Sequence, residues 1–209
     1  MDIIELYEID STNNFAKDKI KAGVNEEFVV WAHWQIAGKG RQGNMWESPE
    51  GNLYMSLVIK PNIDKKNLGQ LSFAASVAIA NIIESLIPTN NKVNVKWPND
   101  VLVNNRKISG ILVESDSDSE WVIIGVGVNI ATAPEFAISL YDFDIKISVR
   151  EFMEKLIIEL GLLVAKIEAM GFVAIQQEWL NRAFKLNQQI TARLPKETLQ
   201  GIFKGIDEN

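Results

Sequence analysis

Residues 28–59 read FVVWAHW-QIAGKGRQGNMWESPEGN-LYMSLVI, which is two apolar runs on either side of a glycine-rich stretch. The runs at 28–34 and 53–59 predict buried strands, because both are rich in aliphatic and aromatic residues. The 18 residues between them, 35–52, contain four glycines and have neither a helical nor a strand period. A loop of this length inside a compact domain is usually functional. We therefore predict that residues 35–52 form a ligand-binding loop.

The rest of the chain mixes strands with a few long helices and several hairpins. A capping box at Ser148–Glu151 marks the start of one of the helices, and Asn104 and Asn105 fit the turn of a hairpin. A strict alternation of strand and helix is absent, so the order predicts an α+β fold with a mixed β-sheet covered by helices. The predicted strands are 3–8, 93–97, 101–103, 106–114, 121–130 and a β-like tail at 188–205 with a turn at Pro195–Lys196, and the predicted helices are 12–22, 67–87, 148–171 and 172–184.

Composition excludes several classes of protein. The chain has 209 residues, with 47% hydrophobic and 23% charged residues, which is ordinary for a globular domain with a small appendage. No apolar run reaches the roughly 18 residues of a membrane span, and the first residues lack the basic start of a signal peptide. We therefore expect a cytoplasmic protein without a membrane partner. The net charge of −6 argues against a nucleic-acid-coating surface.

Residue counts also limit the chemistry. There is no cysteine, which excludes thiolate metal sites and cysteine nucleophiles, and the single histidine, His33, excludes a multi-histidine metal site. A Ser-His-Asp triad would have to use His33, which lies inside the apolar run 28–34 and is predicted to be a structural strand residue. We predict no protein metal site.

The segment 38–43, GKGRQG, matches the pattern G-x-G-x-x-G. A dinucleotide-binding turn needs a helix directly after the glycines, whereas NMWESP follows here, and a kinase would need a catalytic loop that this chain lacks. Closely spaced glycines let backbone N–H groups approach an anion, and Lys39 and Arg41 add positive charge. The alternative is a flexible surface loop with incidental basic residues.

Two further blocks have polar or glycine residues where strands are predicted. KWPND at 96–100 and RKISGIL at 106–112 place lysines and a carboxylate near strand ends, where a buried lysine is costly without an anion nearby. The alternative is an edge strand protected by lysine. GVGVN at 125–129 has glycines inside a strand, which mark close approach of backbone or ligand, or else a bulge against a helix.

With these blocks the chain resembles the biotin–protein ligases, enzymes that attach biotin to biotin-dependent carboxylases. Four blocks occur in family order, at 10–13 (DSTN), 35–46, 96–110 and 125–129, and the resemblance spans roughly residues 3–205. It implies a class II aminoacyl-tRNA synthetase/biotin–protein ligase-like catalytic domain over 1–185 and the start of a C-terminal SH3-like barrel over 186–209, which is apparently truncated. The family commonly has Arg where this chain has Lys39, and the start of the catalytic core near Met1 implies that the family's N-terminal DNA-binding domain is absent.

The resemblance also implies a two-step reaction. Biotin is activated with MgATP to biotinyl-5′-AMP, and the biotinyl group is then transferred to a lysine of a biotin carboxyl carrier protein or domain. ATP, Mg²⁺ and biotin are the small molecules implied, the carrier is the partner implied, and DNA is not expected as a partner. Monomer and homodimer both remain open.

The residues that match the family's motifs are carried over by position. The implied catalytic residues are Lys107, Arg41 and Asp100. The implied biotin-binding residues are Ser11, Thr12, Asn13, Gln35, Gly38, Lys39, Arg41, Lys107 and Gly110. The implied ATP-binding residues are Lys39, Arg41, Trp46, Lys96, Asn99, Lys107 and Asn129.

Three other functions are weighed against this one. An ATP-dependent lipoate–protein ligase would share the fold, whereas lipoyl transferases that use a cysteine nucleophile are excluded by the absence of cysteine. A non-catalytic biotin-adenylate-binding module is the second alternative, because the C-terminal barrel is short. A transcriptional repressor is disfavoured by the lack of a helix-turn-helix segment and by the acidic charge.

Overall fold

A computed structural model describes residues 1–116, 119–193 and 198–207. Its main feature is a seven-stranded sheet in the order β1-β2-β3-β7-β6-β5-β4. Only β1 and β2 pair in parallel, and all other neighbours are antiparallel. The strands are β1 (Asp2–Ile9), β2 (Phe28–Gln35), β3 (Leu53–Ile59), β4 (Val93–Lys96), β5 (Asp100–Val103), β6 (Arg106–Ser115) and β7 (Val122–Val128).

Helices cover both faces of this sheet. The helices are α1 (Thr12–Lys21), α2 (Gln70–Leu86), α3 (Val149–Met170) and α4 (Val173–Asn181). Helices α2, α3 and α4 pack on one face and form the large apolar core, to which α2 contributes nine buried residues. Helix α1 packs on the other face against a smaller cluster that includes Ala16, Phe28 and Ile123. The mixed α+β architecture predicted from the sequence is confirmed.

Two local sequence signals form the predicted structures. Asn104 and Asn105 join β5 to β6 with positive φ angles of 49° and 67°, which asparagine tolerates better than most residues. The hydroxyl of Ser148 accepts a hydrogen bond from the backbone N–H of Glu151 at 3.1 Å, so it caps α3. One helix is shorter than predicted, because the chain leaves α4 at Arg182 to pair with β4 through the backbone of Val95.

The tail forms a separate two-stranded antiparallel sheet, β8 (Gln189–Arg193) with β9 (Thr198–Ile202). Phe203 lies edge-on to Trp179 at 6.3 Å between ring centroids, which packs the tail against the large core. The predicted turn at Pro195–Lys196 lies outside the described residues, and the domain boundary after residue 185 stays a prediction. Within the described ranges, no helix is long and apolar enough to cross a bilayer.

Candidate active site

A cavity of about 640 Å³ lies on the α1 face of the sheet, which is within the usual size range of small-molecule sites. It is bounded by the start of α1, the loop 35–52, the β5–β6 hairpin, β7 and part of β8. Residues of the DSTN block, the GKGRQG block, the KWPND block and the GVGVN block therefore meet in one place, although they lie far apart in the sequence.

Three strand glycines, Gly110, Gly125 and Gly127, line the sheet side of the cavity. Side chains from other elements occupy the space where their Cβ atoms would be. A Cβ added to Gly125 would collide with Asn13 Oδ1, and a Cβ added to Gly127 would lie 2.5 Å from the indole of Trp46. A Cβ added to Gly110 would lie 2.8 Å from the same indole. Real Cβ contacts are longer than this, so glycine at these strand positions allows Asn13 and Trp46 to pack directly against the sheet.

Neutral polar groups line the part of the cavity near α1. The backbone N–H of Thr12 donates to Gln35 Oε1 at 2.8 Å, and Gln35 Nε2 donates to the hydroxyl of Ser48 at 3.0 Å. Ser11 is the N-cap residue of α1, yet its side chain makes no capping hydrogen bond. Thr12 and Asn13 are buried, and their side chains meet the buried hydroxyl of Ser56. This cluster suits an uncharged ligand group with several donors and acceptors.

Charged groups line the part of the cavity near the β5–β6 hairpin. Lys107 Nζ lies 2.6 Å from Asp100 Oδ1, while Lys96 Nζ lies 3.8 Å from Asp100 Oδ2. Arg41 donates to Asn99 Oδ1 at 3.4 Å, and Lys107 Nζ lies 5.1 Å from the centre of the Trp46 ring. Among the residues that the structure describes, four cations and one carboxylate line the cavity, so this part is suited to anions.

The loop 35–52 folds across the cavity and is fixed at its base. Lys39 Nζ donates to Asn14 Oδ1 at 2.6 Å, and the backbone N–H of Trp46 donates to the carbonyl of Gly38 at 2.9 Å. A side chain at Gly38 would collide with the carbonyl of Trp46, so the two arms of the loop touch there. Gln42 and Gly43 at the tip have positive φ.

Most of the predicted site residues are brought together in this cavity. Gly38 and Asn129 do not line it. Gly38 is packed between the two arms of the loop, and Asn129 is buried, with its side-chain amide donating to the carbonyl of Ile138 at 3.2 Å. His33 stays outside the cavity and pairs with Glu5 at 2.9 Å. The predicted residues that line the cavity are Ser11, Thr12, Asn13, Gln35, Lys39, Arg41, Trp46, Lys96, Asn99, Asp100, Lys107 and Gly110.

Several lining residues are not among the predicted ones. Leu112 supplies apolar wall, and the face of the sheet on which it lies can be assigned only once the strand register is known. Met55 of β3 borders the cavity too, but its side chain is buried in the large core on the other face of the sheet. Thr191 and Ala192 of β8 also border the cavity, but nothing in the tail sequence indicates where the small sheet packs.

A match to the biotin/lipoate A/B protein ligase family covers residues 5–129, more than half of the chain. The chain belongs to this family. Among the curated members of the ligase family, a biotin--[acetyl-CoA-carboxylase] ligase of Paracoccus denitrificans is 34% identical over 98% of this chain and 90% of its own length. The bifunctional ligase/repressor BirA of Bacillus subtilis (strain 168) is 32% identical over 96% of this chain, which spans 65% of that protein.

Solved structures of the ligase family have the same fold. The biotin protein ligase from Aquifex aeolicus in complex with biotin and ATP has a TM-score of 0.86 at 27% identity, over 99% of this chain and 88% of that one. The biotin protein ligase from Leishmania major in complex with biotinyl-5-AMP has a TM-score of 0.74 at 28% identity, over 93% and 85%. The family resemblance predicted from the four sequence blocks is confirmed.

Proposed function

We propose that this chain is an ATP-dependent biotin protein ligase. It joins biotin to AMP and then transfers the biotinyl group to a lysine of a biotin carboxyl carrier protein or domain. The observation that carries the proposal is one cavity in which a neutral hydrogen-bonding cluster adjoins Lys39, Arg41, Lys96 and Lys107. Biotin has a neutral ureido ring and a carboxylate, and ATP brings the polyphosphate. The named biotin ligases among the relatives and the solved structures support biotin as the substrate.

The neutral cluster receives the ureido ring. The Ser11 hydroxyl, which does not cap its own helix, and the side chains of Thr12 and Gln35 supply donors and acceptors. Asn13, the remaining biotin-binding candidate, acts from behind them, because its amide is bound to Glu114 and Ser56. The rest of biotin is apolar, and Leu112 of the cavity wall supplies contacts for it. Gly38, the remaining candidate, acts indirectly, because it lets the two arms of the loop touch and so shapes the cover of the cavity.

In the first step a carboxylate oxygen of biotin attacks the α-phosphorus of ATP, and the bond from that phosphorus to the bridging oxygen breaks, which releases pyrophosphate. The difficulty is repulsion, since the nucleophile and the phosphates are both anionic. Lys107 neutralises the two converging anions, and Arg41 and Lys39 supply further positive charge from the loop. Gly110 lets the backbone approach Lys107 and the reacting groups closely.

The nucleotide lies on the side of the hairpin. Lys96 and Asn99 contact it there, and Trp46 covers it from the loop with its indole face. Asn129 is the remaining ATP-binding candidate, and it acts from behind the cavity wall because its amide is bound to the carbonyl of Ile138. Mg²⁺ enters with the nucleotide as MgATP. Within the described ranges, no cluster of three or more acidic or histidine side chains offers a site for a resident metal.

In the second step the neutral amine of the carrier lysine attacks the carbonyl carbon of the mixed anhydride, and AMP leaves with the electron pair of the broken C–O bond. Asp100 provides the carboxylate of the cavity lining. Its contact with Lys107 at 2.6 Å orients that lysine for the first step, and the same carboxylate accepts the proton that the amine loses in the second.

The expected activity without any carrier is biotin-dependent exchange of label between pyrophosphate and ATP. Reversal of the first step requires only biotin, MgATP and pyrophosphate, because no protein nucleophile takes part. The assay is run with biotin and with lipoate in parallel, each without carrier. Exchange that follows lipoate would favour a lipoate–protein ligase, and biotin binding without exchange would favour a non-catalytic module.

The loop 35–52 is expected to become protected when ligands bind. Lys39 and Arg41 lie at its exposed part and repel each other until an anion arrives, and ordering such a loop costs about 1–2 kcal/mol per residue of backbone entropy. A closed loop also keeps water from the reactive anhydride. We expect trypsin to cut after Lys39 or Arg41 in the free protein, and saturating biotin with MgATP to suppress these cuts.

A melting experiment provides the control for that digestion. Ligands at about 100 times their dissociation constants add about 2.7 kcal/mol of stability. For a domain of this size that corresponds to roughly 5–10 °C in Tm. Unchanged cleavage at both sites together with such a Tm shift would show that ligands bind without closing the loop.

A further inference from the structure

A chain of hydrogen bonds leads from a surface ion pair to the neutral cluster of the cavity. Lys17 of α1 and Glu114 of β6 form this ion pair at 2.6 Å, and neither residue lines the main cavity. The other carboxylate oxygen of Glu114 accepts from Asn13 Nδ2 at 2.7 Å. Asn13 Oδ1 contacts the Ser56 hydroxyl at 2.5 Å, and Ser56 contacts the Thr12 hydroxyl at 2.8 Å.

The middle of this hydrogen-bonded series, Asn13 and Ser56, is buried against the sheet. Asn13 is 3% exposed and Ser56 is fully buried, so water cannot replace their hydrogen bonds. Gly125 lies under Asn13, where any larger residue would collide with its amide. Packing therefore fixes the positions of the side chains in this network.

The carboxylate of Glu114 fixes the direction of each hydrogen bond from Asn13 through Ser56 to Thr12. An ionised carboxylate only accepts, so Asn13 must turn its NH₂ group to Glu114 and its carbonyl oxygen to Ser56. The single hydroxyl proton of Ser56 is then donated to Asn13, so Ser56 can only accept from Thr12. The Thr12 hydroxyl has two acceptors in reach, the Ser56 hydroxyl at 2.8 Å and Gln35 Oε1 at 3.2 Å, and it donates to Ser56 over the shorter distance. Burial raises the pKa of Glu114, but hydrogen bonds from Lys17 and Asn13 and the nearby positive charges lower it more, so its pKa falls below the ordinary value.

We propose that Glu114 is a positioning residue for substrate recognition, which acts through Asn13 and Ser56 to present the Thr12 hydroxyl to the cavity as a hydrogen-bond acceptor. This inference rests on the proposed biotin ligase function. An acceptor at Thr12 matches a ureido N–H, which is a donor. Gln35 Oε1 lies within hydrogen-bond reach of the Thr12 hydroxyl at 3.2 Å. With the Thr12 proton directed to Ser56 instead, both oxygens are left to accept from the ligand, and together they select a ring that bears N–H groups.

Lys17 determines how the hydrogen-bond directions change when Glu114 is replaced by an amide. In Glu114→Gln the new amide has one oxygen for two neighbours, and Lys17 takes it because a charged donor forms the stronger hydrogen bond. The NH₂ group of the new side chain then faces Asn13, which must turn its carbonyl toward position 114. Ser56 and Thr12 reverse in turn, and the Thr12 hydroxyl becomes a donor directed at Gln35 Oε1 and the cavity, so neither oxygen is left as a free acceptor for the ligand.

The test measures KM values for biotin and ATP in the pyrophosphate exchange assay. For Glu114→Gln we expect KM for biotin to rise about tenfold, the effect of one misdirected hydrogen bond, with kcat and KM for ATP within about twofold of the parent. In the double variant Asn13→Asp, Glu114→Gln the carboxylate is moved to position 13, where its oxygen toward Ser56 can again only accept. We expect this variant to regain a KM for biotin within about threefold of the parent.

The control is Glu154→Gln, which removes an exposed carboxylate of an ion pair on α3. It should leave both KM values unchanged. Parent protein without biotin-dependent exchange would overturn the proposed function, whereas an active parent isolates the role of Glu114. Parent-like KM for biotin in Glu114→Gln would overturn that role. So would a double variant as impaired as the single one, since the Lys17–Glu114 ion pair is absent from both and only a structural role would then explain the loss.

Discussion

We expect Lys107→Ala to lose roughly 10²–10⁴-fold in the rate of biotin adenylation. Lys107 lies where the cavity's charged groups meet, and it holds two anions as they converge in the transition state. Each hydrogen bond from a charged group contributes about 1.5–3 kcal/mol, and two such bonds concentrated in the transition state correspond to that loss of rate. The measurement is single-turnover formation of biotinyl-5′-AMP at saturating biotin and MgATP.

Lys39→Arg is the matched control, because it changes a second lysine of the same cavity. Lys39 contacts Asn14 at the edge of the loop, away from Asp100 and Lys107. Arginine keeps the positive charge and adds a bidentate donor, so we expect activity equal to or higher than that of the parent. Lys107→Ala with activity within threefold of the parent would refute the role of Lys107.

We expect Gly127→Ala to lose roughly 10–100-fold in exchange activity. The added methyl would lie 2.5 Å from the Trp46 indole, so Trp46 and the loop that carries it must move away from the sheet. Overpacking of a tight site costs about 1–3 kcal/mol, and here the displaced group is the proposed cover of the nucleotide. Exchange rates as a function of ATP concentration measure the loss, which should include a higher KM for ATP.

Gly161→Ala is the control for that substitution. Gly161 lies in α3 with open space where a Cβ would be added, and replacing a helical glycine by alanine gains up to about 1 kcal/mol of stability. We expect unchanged exchange and a slightly higher Tm. Full activity and an unchanged KM for ATP in Gly127→Ala would mean that Trp46 does not need its place on the sheet.

Local signals in the sequence predict the elements that depend on local chemistry. The paired asparagines at 104 and 105 and the Ser148 cap are examples, since turn geometry and helix capping are decided within a few residues. The predicted end of α4 is too late, because the chain leaves the helix at Arg182 to pair with Val95, a contact with a residue far away in the sequence.

The sequence predicts some features of the candidate site but not the long-range contacts that complete it. Glycines inside strand patterns indicate close approach, but the sequence cannot say that Asn13 and Trp46 fill the space above Gly125 and Gly127. No sequence pattern indicates a role for Glu114, because its partners Lys17 and Asn13 lie 97 and 101 residues away along the chain. The position of Asn129 in a motif predicts an ATP contact, and only the fold shows its amide bound behind the cavity wall.

Mass spectrometry of a biotin carrier domain tests the proposed function most directly. The carrier is incubated with this protein, biotin and MgATP, and parallel reactions replace biotin by lipoate or omit ATP. We predict a mass increase equal to one biotinyl group on a single carrier lysine, only in the complete reaction. An unmodified carrier in the complete reaction, with folded protein and a carrier that a known biotin ligase modifies, would contradict the assignment, as would a lipoyl adduct in place of the biotinyl one.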